Sequence, residues 1–101
     1  MKKQHDPTTV QYAQGDGNYT RLYLASGQME LVSNTLKIFE KRWPDFIRAS
    51  KSHLVNPFYV SSITTRNYRH GTLRMRDGTV LEISRRRFKE VNNRMDVYYK
   101  F

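Results

Sequence analysis

Between Phe46 and Val60 the chain reads FIRASKSHLVNPFYV, and Arg48, Lys51, Ser52 and His53 fall within six residues of it. Phe46 and Ile47 precede this polar cassette, and Leu54 and Val55 follow it. A run of solvated charges needs no such anchors. The pattern instead describes a short polar loop held out from a core by strand-like flanks. Two further segments share the character: DGNYTRLYLASG at 16–27 and LEISRRRFKEV at 81–91. Each sets cations and hydrogen-bonding side chains beside alternating apolar residues. That combination suits a surface that grips a polyanion in a defined register. Guanidinium forks match phosphate and guanine edges, and an ammonium acts as a point charge.

Short strands are expected to position these segments. Residues 10–14 form the first candidate, followed by a turn at Asp16-Gly17. Over 19–24 the residues alternate, with Leu22 and Leu24 on one face and Tyr19, Arg21 and Tyr23 on the other. Ser26-Gly27 turns the chain into a strand at 28–33. Asp77-Gly78 between TLRMR (72–76) and TVLEI (79–83) signals a hairpin, with Leu73, Met75, Leu81 and Ile83 inward and Arg74, Arg76 and Glu82 outward. Helical spacing appears twice. Leu36, Phe39 and Trp43 recur between a cap at Ser33 or Asn34 and a stop at Pro44; Phe88, Val91, Met95 and Tyr98 recur after a cap at Ser84. Both apolar stripes are assigned to the core. The expected architecture is mainly β: an elongated arrangement of small antiparallel sheets with a short crossing helix and a C-terminal helix. Residues 1–9 are expected to be a tail, and 10–101 one domain.

Composition excludes several classes. The 101 residues suffice for one core, and 38% hydrophobic content is too rich for a disordered chain. With zero cysteines there is neither a disulfide framework nor a thiolate metal site. No apolar run approaches the roughly 20 residues of a membrane helix. MKKQHDPTT has no apolar stretch behind its lysines, so a signal peptide is not expected and a cytoplasmic location is. The net charge is +9, and 8 of the 11 basic residues in 51–101 are arginines. Nucleic acid is therefore the expected partner.

Four segments in order, DGNYTRLYL, TLKIFEKRWPDFIR, ASKSHLVNPFYVSSI and GTLRMRDGTVLEISRRRFKEV, make residues from about 10 to 96 resemble the LytTR DNA-binding domain of bacterial response regulators. The resemblance implies that loops, rather than a recognition helix, enter the major groove at successive turns of the duplex. It implies a transcriptional regulator of two-component type that binds paired direct repeats. Carried over segment by segment, Lys51 stands at a base-reading position of the cassette, with Arg48 and Ser52 beside it on phosphates. Ser50 stands where the family often has histidine at a groove edge. Arg86 is the second reader, flanked by Arg85 and Lys89, and Asn18, Tyr19 and Arg21 supply a third contact region. His53 completes the set, although packing is the commoner role for such a residue. Lys51 and Arg86 are expected to read one half-site about one helical turn apart. The chain starts directly at the domain, and the expectation is a free-standing regulator or a piece of a longer one. No dimer seam is visible, so a monomer in solution and two copies on DNA are expected.

Other classes fit less well. His5, His53 and His70 lack metal-ligand spacing, and there is no phosphate loop, carboxylate pair or nucleophile elbow. Neither catalysis nor a metal, cofactor or small-molecule substrate is expected. The alternative is an RNA- or polyanion-binding module in which Tyr12, Tyr19, Tyr23 and Tyr68 stack on bases.

Overall fold

The computed structural model describes residues 5–67 and 70–99, the last two by backbone alone; Tyr68 and the Tyr98 side chain, both invoked above, lie outside it. Eight strands and two helices follow in the order β1 (Val10–Asp16), β2 (Tyr19–Leu24), β3 (Met29–Val32), α1 (Leu36–Arg42), β4 (Ile47–Arg48), β5 (His53–Val55), β6 (Val60–Asn67), β7 (His70–Met75), β8 (Val80–Ile83) and α2 (Phe88–Tyr99). The strands form two antiparallel sheets, ordered β3-β2-β1-β5-β4 and β6-β7-β8. The molecule is elongated, 45 × 26 × 21 Å.

Alternation along the larger sheet divides the core in two. Ala13, Leu22 and Leu54 face α1 and join Leu36, Phe39, Trp43 and Phe46 in one apolar cluster. Their strand neighbours Tyr12 and Val55 point the other way, into a second cluster with Leu73, Met75, Leu81 and Ile83 of the smaller sheet and Phe88, Val91 and Met95 of α2. Successive strand side chains alternate faces, so the middle of this sheet is covered on both sides. The inward residues expected for the 72–83 hairpin are buried, while Arg74, Arg76 and Glu82 are exposed. Phe88 packs so close to β7 that a Cβ on Gly71 would lie 2.8 Å from its Cε1 and 3.0 Å from the Thr64 carbonyl oxygen.

Some boundaries depart from expectation. The cap of α1 is Thr35 instead of Ser33 or Asn34, and it makes no side-chain capping bond. The Asn34 carbonyl accepts from the buried Thr20 hydroxyl at 2.7 Å, which holds residue 34 to β2 and starts the helix later. Arg85–Arg87 form a 3-10 turn before α2, with Ser84 as a cap that makes no side-chain bond. The described part of the expected tail is bonded into the fold. Pro7–Thr9 make a 3-10 turn capped by Asp6, Tyr59 Oη donates to the Thr8 carbonyl at 2.6 Å, and buried Asn56 donates to the carbonyls of Pro7 and Val10. Strand β6 carried no alternation that marks it, because most of its residues are exposed on an edge that bulges against β7.

Candidate nucleic-acid interface

Two backbone hydrogen bonds set the geometry of the expected contact segments. The Gly15 N–H donates to the Ser52 carbonyl, and the Ser84 N–H donates to the Ala49 carbonyl, both at 2.9 Å. The first ties the β1–β2 tip to the cassette, and the second ties the arginine turn to its other end. Tip, cassette and arginine turn therefore stand in a row at one end of the larger sheet, with the cassette in the middle. Lys51 and Arg86 each lie two residues from the Ala49–Ser84 pair, so chain reach keeps their Cα atoms within ~21 Å. A helical turn of DNA is about 34 Å. The Asn18 tip and the Arg86 turn are the outer members of the row, and Lys51 lies between them.

At the tip, Gly17 alone takes a positive φ, 61°, as the first central residue of a two-residue hairpin turn of the II′ kind requires. Asn18 and Tyr19 are exposed there, Tyr19 by 51%. Arg21 is on the same hairpin, but its guanidinium pairs with the Asp16 carboxylate at 2.9 Å.

In the cassette, β4 and β5 form a short hairpin whose turn exposes Lys51 and Ser52. The remaining members face inward. The Ser50 hydroxyl accepts from the Ser52 N–H at 3.2 Å and lies 3.4 Å from His53 Nδ1. His53 is half-buried beside Tyr12, and desolvation holds its imidazole below the usual histidine pKa. Arg48 is the most committed: Nε donates to the Ser50 carbonyl (2.8 Å), Nη2 to the Lys51 carbonyl (2.6 Å) and Nη1 to Glu40 on α1 (2.7 Å). The residue expected to hold phosphates beside Lys51 thus has three guanidinium nitrogens engaged within the chain.

Arg85, Arg86 and Lys89 are exposed where the 3-10 turn enters α2, whereas Arg87 is half-buried. Ser84 and Arg85 carbonyls accept from the Arg87 and Phe88 N–H groups, so part of the donor capacity expected at this helix start is used internally. Lys51, Arg85, Arg86 and Lys89 make no ion pair with any described residue. One residue that composition concealed is Arg94. From α2 its guanidinium donates to the carbonyls of Phe46 (3.1 Å) and Pro44 (2.9 Å), fastening the segment that feeds the cassette. Spacing on the helix offers no signal for this, since the acceptors lie some fifty residues away in sequence.

Among the described residues no group of three or more histidine, aspartate or glutamate side chains could hold a metal ion. No described helix is long and apolar enough to cross a membrane. Tyr12 is buried and stacked on Tyr23 with ring centroids 4.6 Å apart, so Tyr12 offers no open face to a base.

Fold and site together define a mainly β domain that presents basic turns and the start of α2 along one end of a sheet. The chain belongs to the LytTr DNA-binding domain family, whose model matches residues 3–96. Its fold is similar to that of a solved structure, the LytTr DNA-binding domain of a putative methyl-accepting/DNA response regulator from Bacillus cereus. That match has a TM-score of 0.79 at 20% identity and covers 87% of this chain and 82% of the other. Among curated proteins none matches.

Proposed function

We propose that this domain binds double-stranded DNA sequence-specifically, as the DNA-reading part of a cytoplasmic bacterial transcriptional regulator acting on paired direct repeats. The observation that carries the reading is the row itself. Three segments distant in sequence meet through the Gly15–Ser52 and Ala49–Ser84 bonds, and four exposed cations with no ion pair to any described residue lie along it. In this reading Lys51, Arg85, Arg86 and Lys89 release counterions and supply sequence-independent affinity. Arg86 donates to O6 and N7 of a guanine, and Lys51 reads a base edge nearby. Asn18, Tyr19 and Ser52 position the backbone. One copy occupies each repeat, and the free protein is a monomer.

The reading is tested by selecting bound sequences from a random duplex pool, with single-stranded RNA as competitor and sedimentation of the free protein alongside. Enrichment of a repeated motif that RNA fails to displace supports it. A pool without enrichment, or binding lost to RNA, overturns it.

A further inference from the structure

The geometry points to Arg48 as a positioning residue: with Glu40 it locks the cassette turn so that Lys51 is presented to DNA, and it contacts no phosphate itself. This inference rests on the DNA-binding reading above. The turn 49–52 is short and exposed at its tip, and such loops are ordinarily the mobile parts of a fold. Here the guanidinium sits beneath it as a template. Its fork receives two successive carbonyls, of Ser50 and Lys51, and its third contact anchors it to Glu40 of α1. The Arg48 side chain is 14% exposed and that of Glu40 39%. Below the turn, the Ala49 and Ser50 N–H groups both reach the His53 carbonyl, and the Ser50 hydroxyl takes the Ser52 N–H.

Two consequences follow for a polyanion. Fixing the Lys51 carbonyl fixes the peptide from which its side chain springs, so only the side-chain torsions remain to be ordered on binding. Turning two carbonyl oxygens onto a cation also keeps their negative ends from facing phosphates. Glu40 then acquires a role unexpected for an acid near DNA: it holds the guanidinium inward.

That role gives the test its sign. If Arg48 were a phosphate contact, Glu40→Gln would release it and remove a repulsive charge, and binding would tighten. As a clamp, Glu40→Gln weakens specific binding about tenfold, leaves the slope of affinity against salt unchanged, and barely alters random-duplex binding. Arg48→Gln does the same, with no loss of slope. Arg48→Lys does not restore affinity, because an ammonium cannot fork to two carbonyls and a carboxylate in that plane. In the DNA-free protein, amide hydrogen exchange at Lys51–His53 accelerates in both Arg48→Gln and Glu40→Gln, with circular dichroism confirming that each variant is folded. Tighter binding by Glu40→Gln, a slope reduced by about one unit in Arg48→Gln, or full rescue by lysine overturns the clamp. If the wild type binds no duplex, the functional reading fails, while exchange at Lys51–His53 still decides whether Arg48 orders the turn.

Discussion

Salt dependence offers a count of the contacts, and the structure changes the count that composition suggests. Seven cations lie on the three contact segments, and setting aside the half-buried Arg87 they are Arg21, Arg48, Lys51, Arg85, Arg86 and Lys89. Two of them are internally paired, Arg21 with Asp16 at 2.9 Å and Arg48 with Glu40 at 2.7 Å. The four that remain set the slope of log affinity against log salt at about −3.6 per bound copy, at roughly 0.9 for each neutralised phosphate. Between about 50 and 200 mM salt the affinity then falls roughly 150-fold. Lys89→Ala brings the slope to about −2.7, and Asp16→Asn, by releasing Arg21 at the hairpin tip, brings it to about −4.5. The assay is fluorescence anisotropy with a duplex carrying a single site and a random duplex of equal length, titrated over that salt range. A slope near zero refutes the DNA interface. A wild-type slope near −5.4 shows that both ion pairs open on DNA, and the reasoning from the internal pairs is then wrong.

Arg86→Ala is expected to cost about 1–3 kcal/mol more at one preferred base pair than on random DNA, where only the loss of one cation is felt; equal weakening of all sequences would make Arg86 a phosphate clamp. Because the Ser84–Ala49 bond joins the two loops, a double-mutant cycle with Lys51→Ala should show coupling of at least about 0.5 kcal/mol, and strict additivity would argue that the loops act independently. Gly71→Ala is expected to destabilise the fold by about 1–3 kcal/mol, since its Cβ would meet Phe88 at 2.8 Å; an unchanged urea midpoint would show that the ring moves aside freely. Burial lowers the pKa of His53 from 6.5, so below that value the unfolded chain binds more protons and stability is lost as pH falls through the unfolded pKa toward the folded one. Denaturation of wild type and His53→Gln across this range should show the steeper acid-side decline in the wild type, and parallel curves would count against a desolvated imidazole.

The elements were legible in the sequence wherever local periodicity and tertiary role agree. Leu22 and Leu24, the Asp77-Gly78 hairpin, the Leu36–Phe39–Trp43 stripe and the Phe88–Val91–Met95 stripe all appear where alternation or helical spacing put them. Side-chain period and turn chemistry are local properties, readable a few residues at a time. The order of segments also sufficed for the family resemblance, and the family match confirms it. What the sequence by itself determined, then, was a small, basic, mainly β domain with three polar segments held by apolar flanks.

Only the tertiary structure decided which of those polar residues face outward. Arg48, Arg85 and Arg94 are alike in sequence, yet Arg85 is exposed while Arg48 and Arg94 give their donors to backbone carbonyls at 44–51. Their roles depend on acceptors supplied by loop carbonyls, and every residue type carries the same carbonyl. No side-chain pattern marks such an acceptor before the chain folds. The adjacency of cassette and arginine turn has the same origin. It rests on one N–H and one C=O, thirty-five positions apart between Ala49 and Ser84, brought together because the two sheets share a core.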